Sequence, residues 1–71
     1  MRGYIVHTKA DCPWCSRAVA LLEAFNAVYQ LVDAPSPDQA TWPVIYEHTS
    51  DGQRLIGGYD ELRKRALSTG L

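Results

Sequence analysis

The sequence has little excess charge of either sign and no long hydrophobic run. Its seven lysines and arginines against eight aspartates and glutamates give a formal net charge of −1. Binding to nucleic-acid phosphates needs a surplus of basic residues, so this balance argues against nucleic acid as the main partner. No apolar stretch is long enough for a signal peptide or a membrane span. We therefore expect a cytoplasmic protein with no membrane partner.

Repeats and low-complexity segments are also missing from the chain. Its 71 residues, 46% of them apolar, fit one small globular domain over residues 1–71. A domain of this size buries only about 60% of its unfolded surface, so its core is marginal. The one basic cluster, at residues 63–65, is expected to form a solvated helix face.

Cysteine is scarce: the chain has two, Cys12 and Cys15, both in the stretch HTKADCPWCSRA at residues 7–18. A bridge across so short a loop removes little entropy from the unfolded chain, and a structural disulfide is not expected in the cytoplasm. Cysteines at this spacing more often change redox state or hold a metal. A zinc site would need further ligands, and the only histidines are His7 and His48, which end predicted strands and could approach each other.

The apolar pattern predicts strands and two helices. Residues 2–7, 28–32, 44–48 and 53–57 are rich in β-forming side chains. Between the first two strands, Trp14, Ala18, Leu21, Leu22 and Phe25 follow helical spacing. Pro13 suits the first turn of that helix, Asp11 or Cys12 its N-cap, and Asn26 its end. A hairpin at Asp51-Gly52 and a closing helix within residues 58–70, with Gly70 as a candidate C-cap, complete the pattern.

The predicted element order is β-α-β followed by β-β-α. A strand, a helix and a strand within about thirty residues form a βαβ unit, so the first two strands should be parallel. The fold class is therefore α/β, with a four-stranded mixed sheet and two main helices. Between the second and third strands, the segment DAPSPDQAT at residues 33–41 leaves room for one helical turn at most, around residues 38–40.

The position of Cys12 at a helix N-terminus favours a thiolate. Unpaired N–H groups and the helix dipole attract an anion there, so the pKa of the Cys12 thiol should be lowered, and Lys9 adds a positive charge nearby. Cys15 follows one turn later and should be less exposed. We expect Cys12 to attack a substrate disulfide and Cys15 to resolve the mixed disulfide, with Pro13 stiffening the turn and Trp14 forming an apolar wall.

Three motifs in this order resemble the landmarks of glutaredoxins: KADCPWC at residues 9–15, TWP at 41–43 and GGYDEL at 57–62. The resemblance spans nearly the whole chain and points to the short, dithiol type found in phages and bacteria. It implies a thioredoxin-like fold with strand order 2-1-3-4 and a cis peptide bond before Pro43. It also implies a glutathione-dependent thiol–disulfide oxidoreductase that acts on protein disulfides and glutathione mixed disulfides.

The resemblance further implies where glutathione binds. The backbone of Trp42 would pair with the cysteine of glutathione, and Lys9 would meet the glycine carboxylate. The backbone N–H of Tyr59 would bind the γ-glutamyl carboxylate, and the carboxylate of Asp60 would bind the γ-glutamyl ammonium group. The expected catalytic pair is Cys12 and Cys15, and the expected glutathione-binding set is Lys9, Trp14, Trp42, Pro43, Gly58, Tyr59 and Asp60.

The expected partners are glutathione as reductant and disulfide-containing proteins, with ribonucleotide reductase as a candidate. We expect a monomer with no permanently bound cofactor and no metal. The chain departs from the family pattern in two places. The usual helix before the Thr-x-Pro loop is reduced or absent, with Gln39 the nearest replacement for its polar contact, and Trp42 stands where a smaller aliphatic residue is usual.

Three questions stay open at the level of the sequence. The electron donor could be thioredoxin reductase instead of glutathione. The protein could instead carry an iron–sulfur cluster, although proline after the first cysteine is more typical of the cluster-free type. Arg17 is either a solvated charge or a helper for the thiolate or glutathione.

Overall fold

The structure is a computed structural model that describes residues 3–37 and 41–71. Every predicted strand and both predicted helices are present in the predicted order. The elements are β1 (Gly3–His7), α1 (Pro13–Ala24), β2 (Tyr29–Val32), β3 (Val44–Thr49), β4 (Gly52–Gly57) and α2 (Tyr59–Ser68). The helical turn considered around residues 38–40, and with it Gln39, lies outside the described residues.

The four strands form one mixed sheet in the order β2-β1-β3-β4. Strands β1 and β2 are parallel, with Tyr4 opposite Tyr29, and the other two pairings are antiparallel. A two-residue turn joins β3 to β4, and Gly52 closes it at a φ of 116°. The α/β fold class, the parallel first pair and the strand order implied by the resemblance are confirmed.

The hydrophobic core lies between the sheet and the two helices. Alternate residues of β1, Tyr4 and Val6, point into it because side chains alternate across a strand. Helix α1 contributes Ala18 and Leu22, and α2 contributes Leu62. Trp14 and Phe25, the first and last of the apolar residues with helical spacing, are 48% and 39% exposed. This apolar face of α1 is therefore buried in its middle and exposed at its two ends.

Local chemistry sets both ends of α1. Cys12 is the N-cap and has extended backbone angles, and Pro13 follows at the first helical position. The capping alternative, Asp11, precedes the cap with a φ of 57°. Asn26 also has a left-handed backbone, with a φ of 54°, two residues after the helix ends. Asparagine tolerates this conformation, so the predicted stop at Asn26 is confirmed.

The supposed approach of the two histidines is wrong. Because β1 and β3 are antiparallel, His7 pairs with Val44 and His48 pairs with Gly3, at opposite ends of the sheet. His7 is the last residue of β1 and His48 the last but one of β3, but the two strands run in opposite directions. In residues 3–37 and 41–71, no group of three or more His, Cys, Asp or Glu side chains could hold a metal ion.

The prediction of a wholly solvated basic cluster also needs correction. Arg63 and Lys64 are exposed, but Arg65 turns toward the sheet, and its Nη2 donates to Oε1 of Glu47 over 2.8 Å. Glu47 is only 2% exposed. A buried carboxylate needs a cation and hydrogen-bond donors to offset its lost hydration, and Arg65 supplies both to Glu47. The pair therefore links α2 to β3.

The connection between β2 and β3 contains no helix in its described part, residues 33–37 and 41–43, as the sequence predicts. Neither α1 nor α2 is long and apolar enough to cross a membrane, and no other helix occurs among the described residues.

Candidate active site

Cys12 and Cys15 form a disulfide at the start of α1, with their Cα atoms 5.2 Å apart. Cys12 is partly exposed as the N-cap residue, whereas Cys15 is buried and 3% exposed. The difference in exposure agrees with the prediction and follows from the helix, since a residue three positions inside it turns toward the core. A partner approaching from solvent therefore meets the sulfur of Cys12 first.

The electrostatic surroundings of Cys12 favour negative charge on its sulfur. The backbone N–H of Cys15 donates to Sγ of Cys12 over 3.2 Å, in the manner of an N-cap bond. The first turn of α1 carries no acidic side chain that would oppose an anion. When the disulfide is opened, the same N–H and the helix dipole can stabilise a Cys12 thiolate.

A groove of about 240 Å³ opens beside the start of α1, between it and the start of α2. Five of the predicted glutathione-binding residues line this groove together with Thr41 and Glu61. The five are Trp14, Trp42, Gly58, Tyr59 and Asp60. Segments far apart in the sequence meet here because β3 and β4 carry the Thr-x-Pro loop and the Gly-Gly turn to one end of the sheet.

The two other predicted residues lie next to the groove lining. Pro43 is fully buried, and its peptide bond to Trp42 is cis, as the resemblance implies. Lys9 is exposed, and its ammonium lies 5.5 Å from the centre of a Trp42 ring. Lys9 therefore lies beside a residue that lines the groove, and this edge, formed by Lys9 and Trp42, is called the groove mouth.

Aromatic rings and cations form the walls of the groove. Trp14 packs against Tyr59 with ring centres 5.4 Å apart. The guanidinium of Arg17 lies 4.4 Å from the centre of a Trp14 ring. Arg17 is exposed and packs on Trp14, which lines the groove.

The start of α2 offers backbone donors to the groove. Gly58 is the N-cap, and its N–H donates to Oε1 of Glu61 over 2.8 Å. The N–H groups of Tyr59 and Asp60 lie in the first turn, where helix geometry gives them no intrahelical acceptor. The groove therefore has an anion-attracting helix end beside the carboxylate of Asp60.

Sequence reasoning did not place Glu61 or Thr41 in the groove, and it did not find the contact of Arg17 with Trp14. Glu61 could have been found, because a glutamate three residues after an N-cap commonly bonds back to it. Arg17 could have been placed on Trp14, because residues three apart share a helix face. Thr41 gave no signal beyond its place in the Thr-x-Pro motif.

A larger depression of about 750 Å³ opens on the other face of α1. Both cysteines and Lys9 line it, and Val19 and Leu31 form its apolar part. The disulfide and Lys9 thus lie between two hollows, of which the smaller has the polar groups expected for a zwitterionic ligand.

A thioredoxin-like sheet with a Cys-x-x-Cys disulfide at the start of its first helix defines the class of thiol–disulfide oxidoreductases. The family model for glutaredoxin matches residues 5–41. The chain belongs to the glutaredoxin family, and this membership implies thiol oxidoreductase activity.

Solved glutaredoxin structures share the fold. The chain resembles the glutaredoxin of Brucella melitensis at 28% identity and a TM-score of 0.73, covering 94% of this chain and 80% of that one. For buckwheat glutaredoxin in complex with glutathione the identity is 25%, the TM-score 0.74 and the coverage 99% and 73%. Glutaredoxin 1 of Francisella tularensis, complexed with cacodylate, is 21% identical with a TM-score of 0.67 and 93% coverage of each chain, a likeness of fold. No curated protein sequence matches the chain.

Proposed function

We propose that this protein is a glutathione-dependent thiol–disulfide oxidoreductase that reduces protein disulfides and glutathione mixed disulfides. The observation that carries the proposal is the pairing of two features at one end of the sheet. A half-exposed N-cap cysteine, bridged to a buried one, lies beside a groove with a helix N-terminus and a carboxylate. The buckwheat relative, whose structure is a glutathione complex, supports glutathione as the ligand.

In the proposed reaction, the thiolate of Cys12 attacks one sulfur of a substrate disulfide and releases the other as a thiolate. Cys15, deprotonated, then attacks Sγ of Cys12, which releases the second substrate thiolate and leaves the Cys12–Cys15 disulfide. One glutathione thiolate opens this disulfide at Cys12 and frees Cys15. A second glutathione attacks the glutathione sulfur of the mixed disulfide, giving glutathione disulfide and reduced Cys12.

The groove fits the two ends of glutathione. At the start of α2, the N–H groups of Tyr59 and Asp60 suit the γ-glutamyl carboxylate, and the Asp60 carboxylate suits the adjacent ammonium group. The backbone of Trp42 suits the central cysteine, and Lys9 at the groove mouth suits the glycine carboxylate. Trp14 and the buried Pro43 complete the proposed contacts.

Turnover of a small glutathione mixed disulfide, coupled to glutathione reductase, tests the proposal. We expect activity in the wild type and in Cys15→Ser, because the mixed-disulfide route uses Cys12 alone, and none in Cys12→Ser. Asp60→Asn should raise KM for glutathione about two- to fivefold, as expected for an exposed ionic contact. Asp51→Asn is the matched control, since Asp51 lies in the β3–β4 turn. An inactive Cys15→Ser variant beside an active Cys12→Ser variant would contradict the assignment of Cys12 as nucleophile and Cys15 as resolving cysteine.

One observation favours a second electron donor. The described part of the β2–β3 connection has no helix, and in glutaredoxins that helix often supplies a polar contact to glutathione. If the wild type fails to use glutathione but is reduced by NADPH with thioredoxin reductase, the cysteines keep their roles and the glutathione contacts are wrong.

The proposal also covers the cellular compartment, the oligomeric state and the protein substrates. We propose a cytoplasmic, monomeric, single-domain protein with protein disulfides as substrates, and ribonucleotide reductase as a candidate on the resemblance. Sedimentation of the purified chain measures the oligomeric state. Brown colour and visible absorption after anaerobic purification would support the iron–sulfur alternative and count against the redox role.

A further inference from the structure

We propose that Trp42 is a positioning residue whose indole holds the Lys9 ammonium at the groove mouth, where it binds the glycine carboxylate of glutathione. The inference rests on the proposed function, in which only the backbone of Trp42 contacts glutathione. It assigns a further role to the side chain of Trp42. The ammonium of Lys9 lies over the Trp42 ring, a contact that an aliphatic side chain at this position could not make.

The geometry is that of a cation–π contact. The ammonium of Lys9 lies 5.5 Å from the ring centre of Trp42, and such contacts act within about 6 Å of the ring. Tryptophan gives the strongest contact of this kind. The ring itself is anchored, since Trp42 is half-buried, lines the groove and is followed by the fully buried Pro43.

Lys9 needs such a support because of where it lies. It is exposed in the segment between β1 and α1, and its four-carbon side chain is flexible. A ligand that had to order this side chain would lose affinity to the entropy cost. A ring that orders the ammonium beforehand reduces that cost.

A ring is also a better support than a carboxylate would be. A carboxylate partner would neutralise the ammonium and compete with the ligand for its donors. The face of an indole attracts the cation through its quadrupole and leaves the positive charge uncompensated. The ammonium therefore stays available to a carboxylate in the groove.

The other indole of the groove is supported differently. Arg17 covers Trp14 at 4.4 Å, but Trp14 also packs against Tyr59. There the cation covers a ring that is already packed on an aromatic neighbour. At Trp42 the partly buried ring supports an exposed cation.

The test compares glutathione with its glycine ethyl ester, in which an uncharged ester replaces the glycine carboxylate. The mixed-disulfide assay is run with wild type, Trp42→Leu, Trp42→Phe, Lys9→Gln and the Trp42→Leu/Lys9→Gln double variant. With glutathione, Trp42→Leu and Lys9→Gln should each raise KM about two- to fivefold with little change in kcat. Trp42→Phe should recover most of the loss, and the double variant should be no worse than Lys9→Gln.

With the ester, the variants and the wild type should have similar KM values, because the charge that Lys9 meets is gone. An equal loss by Trp42→Leu with both substrates would overturn the inference and assign Trp42 a purely structural role. No loss with glutathione would also overturn it. A wild type that turns over neither substrate would instead refute the proposed function, and the inference with it.

A second measurement reads the contact without any substrate. The ε-methylene protons of Lys9 should be shifted upfield by the indole ring current in the NMR spectrum. Trp42→Leu should abolish this shift and Trp42→Phe should retain part of it. Wild-type protons at ordinary lysine positions would refute the positioning even if glutathione turnover is normal.

Discussion

Replacing Gly57 by alanine should destabilise the protein by disturbing the cap of α2. Gly57 has a φ of 124°, where side chains are rarely tolerated. An added Cβ would lie 2.8 Å from both Cγ and Oε1 of Glu61 and 3.1 Å from its Cβ. Glu61 would have to move, and its Oε1 is the atom that accepts from the N–H of Gly58.

Two costs add in this variant. Holding a non-glycine residue in such a backbone conformation costs about 1–3 kcal/mol. Removing a capping bond costs about 1 kcal/mol more. Gly52→Ala is a matched control, because Gly52 has a similar φ of 116° and nothing lies within 4 Å of its added Cβ. It should show the backbone cost alone.

Urea unfolding of the oxidised protein measures the difference. Gly57→Ala should be less stable than Gly52→Ala by about 1 kcal/mol, or about 4–8 °C in Tm for a domain of this size. In a Glu61→Ala background the difference should vanish, because no cap is left to lose. Equal stability of the two glycine variants, or a difference that persists without Glu61, would refute the reasoning.

Two further predictions concern other polar contacts. Arg65→Met should cost about 2–4 kcal/mol in urea unfolding, because it removes the guanidinium that donates to the buried carboxylate of Glu47. The exposed neighbour Lys64→Met should change stability by less than about 0.5 kcal/mol, and similar losses in both would contradict the ion pair's role. The pKa of the Tyr29 hydroxyl is raised above 10.0, first because it donates to Glu23, then by desolvation and by the carboxylate's charge. The stability from this bond should therefore be complete below pH 10 and lost as pH rises through the folded-state pKa. An ultraviolet titration of wild type minus Tyr29→Phe should show the raised pKa, and Glu23→Gln should lower it; an unchanged midpoint would contradict the contact.

The secondary structure was predictable because its signals are local. Pro13 after Cys12, Asn26 at the end of α1 and Asp51-Gly52 in the turn each act through the conformation of one or two residues. The βαβ unit follows from element length alone. Strand order needed the family resemblance, since nothing local says which strand β3 pairs with.

The errors came from contacts that depend on strand direction and register. His7 and His48 both lie at or next to the last residue of a strand, but the antiparallel pairing of β1 and β3 places them at opposite ends of the sheet. Arg65 joins a basic cluster in sequence, but the register of β3 turns Glu47 toward α2. A cluster of basic residues in the sequence therefore does not show which of its members are exposed and which pair with a buried carboxylate.

The contacts of the candidate site also differ in whether the sequence alone could predict them. The contact of Arg17 with Trp14 follows from helical spacing, whereas the contact of Lys9 with Trp42 joins segments that meet only after the sheet has formed. The sequence pattern identifies the cysteines and the motifs, but the contact of Lys9 with Trp42 is seen only in the folded structure.

The β2–β3 connection lies near the end of the sheet where the proposed glutathione site is found. The described connection packs directly on the sheet: the His7 ring donates to the carbonyl of Ala34 over 3.0 Å, and Pro37 lines a hollow of about 580 Å³ with Tyr46. The described part of this connection, residues 33–37 and 41–43, contains no helix. In the proposed glutathione complex, Lys9 of the β1–α1 segment meets the glycine carboxylate, and an exposed lysine does this well only if its side chain is ordered. Replacing Trp42 by an aliphatic residue should therefore weaken the proposed glutathione binding.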